Sequence, residues 1–107
     1  MSTHEQNQDY YVKEILLSTG NVNRPYIVRD IAFATETFDL DVFNEASDLN
    51  ELLAGVKQQL KERAASYGAS AVINCHFDHN HINDGEHKYI KIFAYGTIVQ
   101  YTQTTIG

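Results

Sequence analysis

The sequence predicts an α+β fold, an antiparallel β-sheet with one main amphipathic helix packed on one face. Three observations predict it. A helical apolar repeat runs over residues 48–67. Two β-rich stretches, 71–78 and 89–101, flank an Asp84-Gly85 turn signal. The chain ahead of the helix is rich in β-formers, broken by Gly20-Asn21 and by Pro25, the only proline.

The helix is the clearest element. Leu49, Leu52, Leu53, Val56, Leu60, Ala64 and Tyr67 fall on one stripe at helical period, so one face must be buried. Ser47 or Asp48 can cap it, and Asp48 with Glu51 has capping-box spacing. Lys57, Lys61 and Arg63 come late, where the helix dipole favours cations, and Gly68 supplies a left-handed stop.

Before the helix, residues 10–18 read as a strand ending at Gly20-Asn21, and a second strand runs from Tyr26 through Ile31 to Phe33. Residues 35–43 alternate acidic or polar with apolar side chains, which suggests a half-buried strand, with an exposed acidic loop as the alternative. After the helix, taking Asp84-Gly85 as the centre of a type I′ turn fixes a register. Asn83 then pairs Glu86, Ile82 pairs His87, His81 pairs Lys88, His79 pairs Ile90, Phe77 pairs Ile92 and Cys75 pairs Ala94. One face carries Ile73, Cys75, Phe77, Ile90, Ile92 and Ala94, a coherent surface for the helix. The other carries Val72, His76, Asp78, Phe93, Tyr95 and Val99, and a slip of one residue would exchange the two. One helix covers one face. Another copy of the chain, or the N-terminal segment folding across, must cover the second.

At 107 residues the chain reads as one domain, residues 10–101, between polar tails at 1–9 and 102–107. Its net charge of −6, with no dense Lys/Arg cluster, makes nucleic acid and anionic membranes poor partners. The start, MSTHEQNQD, lacks the apolar centre of a signal peptide, and no apolar run is long enough to span a bilayer, so the expected location is the cytoplasm. A single cysteine excludes an internal disulfide.

Residues 75–87 hold four of the five histidines and that cysteine. Imidazole and thiolate are the preferred ligands of borderline metals. Alternate residues of a strand share a face about 6–7 Å apart. His79 and His81 can therefore chelate on one face, and His76 with Asp78 on the other. A stable site wants three or four protein ligands, and Lys88 opposite His81 would repel a cation, so one chain does not complete a site in this register. Solvated histidines at a polar hairpin tip are the alternative. Cys75 alternates with Ile73 and Phe77, which suits a small buried hydrophobe, and as a strand neighbour of His76 it points away from it. No phosphate-binding glycine motif, serine elbow or EF-hand loop appears, so no catalytic constellation argues for an enzyme.

Ile15-Leu16-Leu17-Ser18-Thr19 followed by Tyr26-Ile27-Val28, the helix end with Gly68-Ala69-Ser70-Ala71-Val72-Ile73, Phe77-Asp78, and Ala94-Tyr95-Gly96-Thr97-Ile98-Val99 resemble the YbjQ-like family. These are small bacterial proteins often labelled heavy-metal-binding domains, and the resemblance covers about residues 14–100. It implies a compact, dodecin-like α+β subunit in a ring-shaped homopentamer, joined partly by extra short strands. Three departures stand out. The acidic segment before the helix is short for the family, Asn74 stands in place of an expected glycine, and His76 and His79 replace an expected acidic and an expected aromatic residue.

The expectation is a non-enzymatic cytoplasmic homo-oligomer that binds zinc, nickel or copper through His79 and His81, or His76 and Asp78. The alternatives are a protein-interaction scaffold, or a small-molecule binder using subunit clefts lined by Tyr89, Phe93 and Tyr95.

Overall fold

The computed structural model describes residues 11–41 and 48–102. Strands β1 (Leu16–Leu17), β2 (Tyr26–Asp39), β3 (Ala71–Asp84) and β4 (His87–Tyr101) form one sheet in the order β1-β3-β4-β2. The helix α1 (Leu49–Ser66) lies across one face. The α+β class is the expected one, but the sheet is mixed, because β1 runs parallel to the start of β3 while the other pairs are antiparallel.

The helix forms where its signals lie. The Asp48 carboxylate accepts from the Asn50 N–H at 2.9 Å, satisfying one of the orphan donors of the first turn. At the other end Tyr67 is the cap, and Gly68 takes φ +67° to turn the chain out. Leu52, Val56, Leu60 and Ala64 are buried against Ile90, Ile92, Ala94 and Ile98 of β4. Each large apolar side chain so buried contributes roughly 1.5–3 kcal/mol. Ala32 and Ala34 of β2 are buried in the same cluster, where small side chains leave room for the helix. Leu49, expected on the buried stripe, is 58% exposed, since it sits at the first helical position, before the stripe reaches the sheet.

Three sequence expectations are corrected. Residues 11–14 are helical and only Leu16–Leu17 extend, so the strand expected over 10–18 is mostly absent; β-formers there are overridden by local packing, with Tyr11 donating to the Ala69 carbonyl. The acidic stretch from Thr35 is not a separate strand. It continues β2 to Asp39 and turns helical at Leu40-Asp41, while Val42 and Phe43 lie outside the described residues. The hairpin turn is Gly85-Glu86, with Asp84 opposite His87. Gly85 alone takes positive φ there, at +67°, which is the type II′ pattern. The expected type I′ turn, centred on Asp84-Gly85, would have put Asp84 in that region as well.

This turn moves the register by two residues, so Asn83 faces Lys88, His81 faces Ile90, His79 faces Ile92 and Phe77 faces Ala94. A two-residue shift keeps every side chain on its expected face. A bulge then intervenes between Ile73 and His76, with Asn74 at φ +52°. It inserts one residue and exchanges the faces beyond it. Val72 consequently joins the helix-side core, and Ile73 packs with Ala71 and Val99 on the outer face, the reverse of the expected placement. Val22, Tyr26 and Tyr101 pack against that outer cluster, so the chain ahead of β2 covers one end of the second face.

Candidate functional site

The histidine-rich stretch forms the distal half of β3. Its residues alternate as the pleat requires, and two distinct pairs result.

His79 and His81 are exposed on the helix side of the sheet, with ring centroids 5.7 Å apart and edge-on at 65°. Their cross-strand neighbours are Ile92 and Ile90. Lys88 stands one row further out, opposite Asn83, and not opposite His81. The cation that the expected register set against this pair is therefore displaced toward the turn. Two imidazoles so spaced fit two positions of a tetrahedral ion.

His76 and Asp78 occupy the outer face and are both exposed. They are not an equivalent pair. The His76 ring is stacked on Tyr95 at 5.4 Å and 21°, and Tyr95 in turn meets Phe33 at 6.3 Å. His76, Tyr95 and Phe33 thus form one row across β3, β4 and β2, in agreement with the ladder pairings. Phe33 is 70% exposed, and Val28 and Ile31 of the same strand are 63% and 53% exposed. Tyr89, Phe93 and Tyr95, the expected cleft-lining residues, share this face, with the first two half-buried.

Cys75 sits on the helix side and is 4% exposed. Burial pushes its thiol pKa up, opposed by a backbone hydrogen bond from the Ser18 region. Its Sγ donates to the Val72 carbonyl at 3.4 Å. A protonated, buried thiol is a packing group, and it does not join the histidines. A cleft of about 250 Å³ borders it, between Ser18 and Lys57. A second, of about 420 Å³, lies at the hairpin tip between Asp39, Asp41, Glu86 and His87, a grouping that sequence spacing did not disclose because it joins the end of β2 to the β3–β4 turn.

Among the described residues, no three or more His, Cys, Asp or Glu side chains converge into a metal-holding group, and no helix is long and apolar enough to cross a membrane. The described residues of one chain therefore offer two-ligand half-sites. The row of His76, Tyr95 and Phe33, and the hydrogen bonds at the sheet edges, escaped the sequence reading because both depend on which strand lies beside β4.

Residues 37–102 match the model of the YbjQ_1 family, whose description reads "Putative heavy-metal-binding". Among solved structures, the chain is similar to a protein of unknown function of the DUF74 family from Pediococcus pentosaceus. The two share 20% sequence identity with a TM-score of 0.71, over 81% of this chain and 97% of that one. At that identity the likeness speaks for the fold alone. No curated protein matches.

Proposed function

Because the chain belongs to the YbjQ_1 family, we propose that it is a self-assembling protein that binds a transition metal through His79 and His81, with the remaining ligands supplied by a second copy. The observation that carries this reading is the pair itself, two exposed imidazoles 5.7 Å apart on one strand face with apolar cross-strand neighbours. Imidazole ligation suits zinc, nickel or copper. A two-ligand half-site binds weakly alone, so metal affinity and assembly are coupled in this proposal. His76 with Asp78 is the weaker candidate, since ligation would compete with the stacking of His76 on Tyr95.

Self-assembly is supported by the outer face, where Val28, Ile31, Phe33 and Tyr95 leave an apolar surface opposite the helix. We take the assembly to be a cytoplasmic homo-oligomer without catalytic activity, and the pentamer implied by the family resemblance is its expected form. The same apolar face favours a second reading, in which the protein is an interaction scaffold and its histidines are merely solvated.

Native mass spectrometry of untagged protein purified without chelator, beside elemental analysis, tests the proposal. Stoichiometric zinc, nickel or copper that EDTA removes, and that the His79→Ala/His81→Ala variant lacks while remaining oligomeric, is the expected result. A metal-free oligomer that also ignores added metal overturns the metal reading and leaves the scaffold.

A further inference from the structure

β2 is one edge of this sheet, and the distal half of β3, past the reach of β1, is a second exposed edge; exposed edges invite pairing with other chains. In an antiparallel ladder the backbone groups of alternate residues point toward and away from the partner. On β2 the outward set is identified by Thr35, whose N–H donates to Gln59 Oε1 at 3.3 Å and whose carbonyl accepts from Gln59 Nε2 at 2.8 Å. Gln59 comes from the helix, so Thr35 faces away from β4. Ile31, Phe33 and Thr37 share its parity. The Ile31 N–H donates to Asp30 Oδ1 at 2.7 Å.

The same alternation carries across β4 to the other edge. Thr35 faces outward, so Ala34 bonds Ala94, and Ala94 therefore has no backbone groups left for Phe77. Phe77, His79 and His81 are then the outward residues of β3. The His79 N–H donates to Asp78 Oδ1 at 2.8 Å. Further back, β3 is covered: Leu16 and Leu17 pair with Ala71 and Val72, and the Gly20 and Ser18 carbonyls accept from the Asn74 and Cys75 N–H groups at 3.0 and 2.9 Å.

We propose that Gln59, Asp30 and Asp78 are edge guards, side chains that occupy outward backbone donors of β2 and β3 and so prevent strand addition along the sheet. The chemistry fits the role. The Gln59 carboxamide imitates an incoming peptide group, donating and accepting at once. Its second N–H is held by Glu36 Oε1 at 3.1 Å, which fixes the orientation of the amide. Each aspartate takes the N–H that an added strand would need and presents a negative charge to that strand's carbonyls. The guards on β2 are four residues apart, at Ile31 and Thr35. A strand docking at Phe33, whose N–H has no side-chain partner among the described residues, therefore meets a blocked position two residues away on either side. Open-ended pairing of the two long edges is closed off, while the apolar outer face, and short-strand contacts elsewhere of the kind the family resemblance implies, stay open. This inference concerns the edges and is independent of metal binding.

Amide hydrogen exchange on the wild-type protein tests it directly. The Ile31, Thr35 and His79 amides should exchange roughly fivefold or more slowly than that of Phe33, the difference that one net hydrogen bond makes. A Phe33 amide as protected as Thr35 would mean the β2 edge is itself paired, which overturns the proposal. In parallel, the Gln59→Ala/Asp78→Ala variant should form larger species that grow with concentration in sedimentation velocity. Adding Thr35→Lys to it should reverse that growth by charging the edge. A folded double variant that sediments as the wild type at all concentrations refutes the guarding role.

Discussion

Asn74 has a φ of +52°, in the left-handed region, and is the only non-glycine residue with positive φ among those described. It lies inside the bulge that lets β3 switch faces. Asparagine tolerates this conformation better than other side chains, and glycine tolerates it best, which accounts for the glycine expected there from the family resemblance. Gly96 on β4 answers the bulge from the other side. A Cβ there would lie 2.6 Å from Val72 Cγ1 and 3.0 Å from Cys75 Sγ, so β3 and β4 approach closely only because that methyl is absent. Asn74→Gly should therefore leave stability within about 0.5 kcal/mol of the wild type. Asn74→Val should lose about 1–2 kcal/mol, because a β-branched side chain clashes with its own backbone at positive φ. Urea unfolding monitored by circular dichroism checks both. Equal stabilities for the two variants would mean that the bulge relaxes out of this conformation.

Elements differ in how far they could be read from sequence. The helix was legible throughout, because a cap at Asp48, an apolar stripe and Gly68 are local signals that all agree. The hairpin was legible as a hairpin but misplaced by two residues, since Asp84-Gly85 and Gly85-Glu86 differ only in which residues take positive φ. The faces of β3 ahead of Asn74, at Val72 and Ile73, were not legible, because one inserted residue at Asn74 inverts them and nothing in the alternation of Ile73, Cys75 and Phe77 reveals it. As for the candidate site, His79 with His81 followed from spacing alone, whereas the stacking of His76 on Tyr95 required the pairing of β3 with β4.

One tie between elements carries its own pH dependence. The Tyr67 hydroxyl at the helix end donates to Asp30 Oδ2 on β2. The Tyr67 hydroxyl, then the Ile31 N–H, hold the Asp30 carboxyl below its ordinary pKa, and the Asp30 hydrogen bond in turn raises that of the Tyr67 phenol. For the depressed carboxylate, the stabilisation is present above its unfolded pKa near 3.9 and fades as pH falls through the lower folded value. For the raised phenol, it is present below about pH 10 and fades as pH rises through the higher folded value. Tyr67→Phe should therefore lower the melting temperature most between about pH 5 and 9, with a smaller deficit near pH 2.5. A deficit constant from pH 2.5 to 7 would show that the hydroxyl contributes through packing and not through the charged hydrogen bond.

At the scale of the whole molecule, one main helix among the described residues faces a sheet that has two sides. The long strands make it elongated, 57 × 36 × 23 Å, and α1, at 18 residues or about 27 Å, spans only part of the sheet it covers. On the outer face, Val22, Tyr26 and Tyr101 cover Ala71, Ile73 and Val99, and among the described residues the cover stops there. The side chains of Val28, Ile31, Phe33 and Tyr95 leave on the order of 400 Å² of apolar surface in water, about half of what each partner contributes to a standard interface. A net charge of −6 repels like chains at long range, so apolar contact at short range has to supply the attraction in any self-assembly. Phe33, 70% exposed and in ring contact with Tyr95, sits where such a contact would concentrate its energy. Phe33→Glu should thus raise the concentration at which the oligomer dissociates by roughly thirtyfold or more, the loss expected of an aromatic anchor replaced by a like charge. The fold should be unaffected, because Phe33 contributes nothing to the helix-side core. Sedimentation equilibrium over a range of concentrations, with circular dichroism on the same samples, makes the measurement. An oligomer indifferent to this substitution would exclude the outer face as the assembly surface and leave the histidine-bearing hairpin as the next surface to probe.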